Sequence, residues 1–296
     1  MAITRVTQNM MSQHSLGSLQ SSLSKLAAIQ EQVSTGRVLN RPSDSPSDTM
    51  SSMRMRSSIS DQKQYARNAE DGLGWLGQTE TALTGINAEV RRARDLALQG
   101  ANGSLGQTSL DALAVEVDKI REGVLASANT TYLGRPVFGG ITGGAQAYDP
   151  NTGAYIGTPG AVNRTIADGV TIDLQIDGQA AFGVTGSSLF DDLTALSAAL
   201  RAGDNTAIRA GSTALSADMD RIQGRISDVG TRFNRLEKAA QTAGDAELDL
   251  TSALSEVENT DLPKAMVELK MQEVAYQAAL ASTARVMQPS LLDFLR

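Results

Sequence analysis

Apolar residues along this chain recur in steps of three and four rather than scattering. From Leu16 they fall at Leu19, Leu23, Leu26 and Val33, with only Gln30 out of register. This is a narrow helical stripe, suited to a partner helix. It stops at STGRVLNRPSDSPSD, where Gly36 can close a helix, Pro42 and Pro46 prevent continuation, and Ser47 or Asp48 can cap the next one.

A second helical pattern covers roughly residues 48–100, with Ala69, Leu76, Leu83, Val90 and Ala97 spaced by seven. Gly72, Gly74, Gly77 and Gly85 interrupt it, each costing up to about 1 kcal/mol against Ala. They predict either a bend or a very close neighbour. After the loop QGANGSLGQ, a third helix carries Leu110, Leu113, Val117, Ile120 and Val124.

Residues 134–188 change character. They hold 12 of the 27 glycines, six charged residues and turn strings such as DPNTG. Within them VTIDLQID alternates strictly, predicting a strand with Val170, Ile172, Leu174 and Ile176 on its covered face. Helices then return with Leu189, Leu193, Leu196 and Leu200. The longest pattern follows, at 215, 219, 222, 226, 229, 233, 236, 240, 243, 247, 250, 254 and 257, with only Glu247 polar. ENTDLPKAM breaks it, offering Thr260 or Asp261 as a cap and Pro263 in a new first turn. The last helix carries Leu262, Met266, Leu269, Leu280, Ala284, Met287, Leu291 and Leu295, and the chain ends on the apolar string LLDFLR.

The fold class that follows is mainly α with a small β insert: a folded-back, elongated helical rod whose coiled-coil termini meet at one tip. Its expected domains are 1–47 with 258–296 (terminal coiled coil), 48–133 with 189–257 (helical rod), and 134–188 (inserted β-rich domain). Composition agrees, because aromatics make up only 4% of residues and there are no cysteines. Disulfides, thiolate metal sites and cysteine nucleophiles are therefore excluded. A net charge of -7 argues against a nucleic-acid partner. No stretch approaches the roughly 18 apolar residues of a membrane span, and MAITRVTQNMMSQHS lacks the parts of a cleavable secretory signal.

Catalytic chemistry is thin. His14 is the only histidine and has no second His or Cys to share a metal or a proton. GGITGG at 139–144 lacks the Lys-Ser/Thr ending of a phosphate loop. Arg91, Arg92 and Arg94 are flanked by Glu89 and Asp95 and read as a solvated or subunit-facing helix side. Asp191 and Asp192 suit a helix start, and Trp75 reads as core. Three Asn-X-Ser/Thr strings, at Asn102, Asn129 and Asn163, are weak signals of glycosylation. No enzyme activity, cofactor or metal is expected.

The terminal stripes carry the functional reading. Two isolated helices cannot cover such wide apolar faces by pairing together, so neighbouring copies, or a closely related chain, are expected to cover them. The expected assembly surface is Leu16, Leu19, Leu23, Leu26 and Val33 with Leu262, Met266, Leu269, Leu280, Met287, Leu291, Leu292, Phe294 and Leu295.

These features resemble the flagellin superfamily of bacterial flagella. STGRVLNRPSDSPSD is similar to that family's break between its innermost and second helical domains. VRRARDLALQGANG resembles its second-domain helix and following loop, and YLGRPVFGG the entry to its outer domain. The tail ARVMQPSLLDFLR and the start AITRVTQNMM look more like its hook-filament junction branch than like flagellins, whose tails are of the type VLSLLR. The resemblance spans nearly all of residues 1–140 and 190–296. It implies an extracellular structural subunit, exported through the flagellar type III channel with an export chaperone. Such a subunit forms a homo-oligomeric ring between the first hook-associated protein and flagellin. Filament flagellin is the nearest alternative, and a secreted coiled-coil adhesin or effector a more distant one.

Overall fold

The computed structural model describes residues 2–103 and 105–287. They fold as two compact units: a terminal unit of residues 2–60 with 247–287, and a central unit within residues 61–246. The element order is α1 (Ala2–Thr35), α2 (Pro46–Gly100), α3 (Gln107–Ala128), β1 (Thr131–Tyr132), β2 (Arg135–Pro136), β3 (Asn163–Ala167), β4 (Val170–Asp173), α4 (Gly178–Phe182), β5 (Gly183–Val184), β6 (Ser187–Ser188), α5 (Leu189–Ala202), α6 (Asn205–Glu258) and α7 (Leu262–Met287). Helices dominate, and among the described residues the strands form three separate antiparallel hairpins.

The central unit has one continuous core. Along α6 the side chains spaced by seven, Leu215, Ile222, Val229, Leu236 and Ala243, are buried. Met219, Ile226, Phe233 and Ala240 between them pack partly buried against the same core. From α2 come Leu76, Leu83, Val90 and Ala97, and from α3 Leu110, Val117 and Val124. The α2 glycines admit close neighbours rather than a bend at two positions. A Cβ at Gly72 would lie 2.9 Å from the Leu236 side chain, and one at Gly74 only 2.4 Å from the Tyr132 hydroxyl. Nothing crowds Gly77 or Gly85.

The insert shares this core instead of standing apart from it. Phe138, Tyr148, Phe182 and Phe190 cluster, with centroids 5.0 Å apart for the edge-on pair Phe138–Phe182 and for the tilted pair Tyr148–Phe190. Asn129, just past α3, clasps the insert: its carbonyl accepts from the Ala147 and Tyr148 amides, and its amide donates to the Tyr148 carbonyl. That side chain is therefore fully engaged within the folded chain. From α6, Arg232 donates to the carbonyls of Asp173 and Gln175 at 2.9 and 2.8 Å.

The alternating strand is shorter than its pattern. β4 ends at Asp173 because that carboxylate accepts from the amides of Val162 and Gln175, replacing ladder bonds with a local turn. Val170 is exposed, while Gln175 is buried with its amide donating to Val137 and Ile176 carbonyls. The cap of α2 also differs from expectation. Ser45, not Ser47 or Asp48, accepts from the Asp48 amide, and Pro46 opens the helix, where its missing N–H costs nothing.

Candidate assembly surface

In the terminal unit α1 and α7 pair. Their ends are fixed where the two breaks meet. Gly36, at φ +70°, closes α1, and its amide donates to the Gln32 carbonyl. Arg37 then forms an antiparallel bridge with Asn259, the Thr260 amide donates to the Gly36 carbonyl, and Val38 donates to the Glu258 carbonyl. Asp261 caps α7 by accepting from the Lys264 amide at 3.2 Å. The helices therefore leave one stitched point antiparallel, and further along Gln272 donates to the Ser22 carbonyl.

Glu258 holds this junction to the start of α2. Its buried carboxylate receives Nε and Nη2 of Arg56 at 2.9 and 2.7 Å, and the Ser52 hydroxyl. The Arg56 hydrogen bonds, helped by Ser52, hold its carboxyl below the usual Glu range even though burial pushes the other way. Arg41 is likewise paired, 3.2 Å from Glu31. The shallow cavity of about 190 Å³ between them thus has its two arginines already engaged.

The pairing covers only one stripe of each helix. On α1 the half-buried row is Ser15, Leu19, Ser22, Leu26, Ile29 and Val33, with Glu31 and Gln32 beside its end. On α7 it is Leu269, Gln272, Tyr276, Ala279 and Thr283, with Glu273 beside it and Ala265 fully buried. Both rows step by four and three. Of the residues expected at the assembly surface, Leu19, Leu26, Val33 and Leu269 therefore lie in this internal seam.

The others described remain open. Leu16 and Leu23, one residue past Ser15 and Ser22 and so about 100° round the helix, are 52% and 50% exposed. Met266 and Leu280 stand in the same relation to Ala265 and Ala279 and are exposed, as is Leu262. The side chain of Met287, and Leu291, Leu292, Phe294 and Leu295, lie outside the described residues.

A third stripe was not singled out from the sequence. Val267, Met271, Val274, Ala278 and Ala281 also step by four and three, two residues past the seam row and about 200° round α7. Met271 and Val274 are 62% and 64% exposed. The same periodicity could have found it, had two apolar faces been sought on one helix. An α-helix apolar on both sides, paired on one, presents a surface for other helices.

The remaining candidates carry no chemistry. His14 is exposed. Arg92 pairs with Glu116, and Arg94 lies 3.8 Å from Asp95. Trp75 is buried, edge-on to Tyr132 at 6.0 Å with Arg135 over its ring. Asp191 completes a capping box with Ser188 at the start of α5. Among the described residues no cluster of His, Cys, Asp or Glu could hold a metal, and no helix is long and apolar enough to cross a membrane.

Comparison with known proteins places this architecture. Residues 6–142 match the model of the bacterial flagellin N-terminal helical region. Flagellin FlaB2 of Treponema pallidum is 27% identical over the full length of both chains. Flagellar hook-associated protein 3 of Escherichia coli is 22% identical over 93% of this chain and 94% of its own. The crystal structure of Bacillus cereus FlgL is 26% identical, superposing with a TM-score of 0.61 over 68% of this chain and 99% of its own. The hairpin-bearing helical core, the paired terminal helices and these likenesses together lead to one conclusion: this chain is similar in sequence and fold to the flagellins and hook-associated proteins, structural proteins of the bacterial flagellum.

Proposed function

We propose that the chain forms an adaptor ring joining the hook-associated zone to the flagellin filament, with neighbouring copies covering the open faces of α1 and α7. The observation that carries the assembly reading is the open outer stripe of α7, with Val267, Met271 and Val274 exposed on a helix that α1 seals on its other apolar side. Its tail ARVMQPSLLDFLR and start AITRVTQNMM support the junction branch. In this reading residues 1–47 and 258–296 line the inner tube, 48–133 with 189–257 form the outer tube, and 134–188 face solvent. The neighbours are the first hook-associated protein on one side and flagellin on the other. The chain reaches them through the flagellar export apparatus, escorted by a chaperone.

Filament flagellin is a second reading, favoured by the full-length similarity to FlaB2. Polymerisation separates the two. Under salting-out conditions, which strengthen apolar burial, a junction subunit forms only short oligomers. Long regular tubes of the purified protein in electron micrographs would overturn the junction assignment. Protein that stays monomeric under these conditions and on hook-type assemblies would overturn the assembly reading itself.

A further inference from the structure

Asp218 is 1% exposed on α6, yet neither of its carboxylate oxygens has a hydrogen-bond partner among the described residues. Arg221, one turn on, approaches at 3.0 Å without hydrogen-bond alignment, and its Nη1 is also unpartnered. Asp192, from the first turn of α5, faces Asp218 within hydrogen-bonding reach. The β5–β6 hairpin closes the site from a third side: a Cβ at Gly183 would lie 2.9 Å from Arg221 Nη1.

The charged groups facing Asp218 are thus Arg221 from its own helix and Asp192 from α5. The hairpin, residues 183–188, contributes no ionisable side chain. Asp191 is turned away, its Oδ2 accepting from the Gly186 and Ser188 amides and the Ser188 hydroxyl. One arginine therefore stands between two carboxyl groups, one of them wholly buried. Two like charges within hydrogen-bonding reach, one of them buried, are disfavoured, and a shared proton is the ordinary resolution.

We propose that Asp218 and Asp192 form a proton-held clasp between α6 and α5, closed when Asp218 carries the proton and loosened when that proton passes to solvent. In the closed form the Asp218 hydroxyl donates to the Asp192 carboxylate, and Arg221 balances the one remaining charge. In the open form two carboxylates compete for Arg221, and the start of α5 and the hairpin against it lose their hold. Burial, opposed by Arg221 and reinforced by Asp192, pushes Asp218 up to about 7. The folded state then keeps a proton that the unfolded chain releases near the usual carboxylate value. Stability from this site is full below that value and falls as pH rises through about 7. This is a property of the central unit and does not depend on the junction assignment.

The test uses the full chain. Carboxyl carbon NMR of the wild-type protein should show one Asp titrating near neutrality and missing from the Asp218→Asn spectrum. The urea midpoint of the wild type should fall by on the order of 1 M between pH 5 and 8, and amide protection at 183–195 should fall with it after correction for intrinsic exchange. Asp218→Asn should flatten that dependence. Asp192→Asn should move it to lower pH, which covers the case of an Asp218 variant that fails to fold. An Asp218 resonance titrating in the ordinary carboxylate range overturns the clasp. So does an unchanged wild-type midpoint across this pH range, or the same fall in Asp218→Asn.

Discussion

The two units of this chain are built from the same residue types at the same helical spacing, yet only one of them closes. In the central unit the rows of α2, α3, α5 and α6 and the rings of the insert fill a shared interior. In the terminal unit Ala265 alone among the described apolar residues is fully buried, although leucines, valines and methionines recur along both helices. The difference lies in the number of partners. An apolar row surrounded by several elements becomes core, while two helices alone can seal a single seam. Substitutions should therefore divide by unit, with stability at risk in the centre and association at risk at the ends.

The largest effect is expected in the core. Phe182→Ala removes a buried ring touching Phe138, Tyr148 and Phe190 and should cost about 3–5 kcal/mol. Calorimetry should show a fall in melting temperature of several degrees or more. An unchanged melting temperature would mean that the insert does not share the core. Next comes Glu258→Gln, which keeps the shape but loses the charge-assisted bonds to Arg56, about 1.5–3 kcal/mol. The loss should be local, seen as faster proteolysis within residues 36–45 and not as a lower melting temperature of the central unit. Acid should imitate it. Because the Glu258 carboxyl is held below its usual value, its contribution is complete above that value and disappears as pH falls beneath it.

A smaller change of opposite sign is expected at Leu133. It is the only described non-glycine residue with positive φ, +48°, and it is 81% exposed at the tip of the β1–β2 hairpin. With Gly134 at +79° it makes a two-residue turn that ordinarily takes Asn-Gly. Leu133→Asn should raise the melting point, by about 1 kcal/mol in stability. A decrease would mean that the leucine makes a stabilising contact. The smallest stability effect, within about 0.5 kcal/mol, is expected for Met271→Asp. It should leave the monomer's melting temperature alone and abolish salt-induced oligomers in sedimentation runs. If oligomers persist, the outer stripe of α7 is not an association surface.

Much of this was legible in residue spacing. The α6 row from Leu215 to Ala243 and the α2 row from Ala69 to Ala97 needed only periodicity, because a buried helix face repeats with the helix itself. The breaks at Gly36 and Pro263 were plain from backbone chemistry. What spacing could not show was which apolar row would find cover. Leu19 and Leu23 read alike, and only the pairing of α1 with α7 separates them. Nor could it show that Asp173 would end a strand by supplying its own acceptor, or that Asp218 would lie buried beside another carboxyl. Those outcomes depend on residues distant in sequence.

The stitch between Arg37 and Asn259 also carries a kinetic consequence. Gln272 and Ser22, which meet beyond it, are 250 positions apart along the chain. Joining such distant segments from a random coil costs roughly 5 kcal/mol in loop-closure entropy, more than one half-covered seam readily repays. Once the intervening residues have folded, the effective loop is far shorter. The terminal helices should therefore zip last and open first. The central interior would then be complete before the terminal helices paired, so the apolar faces of α1 and α7 would be the last surfaces to take shape.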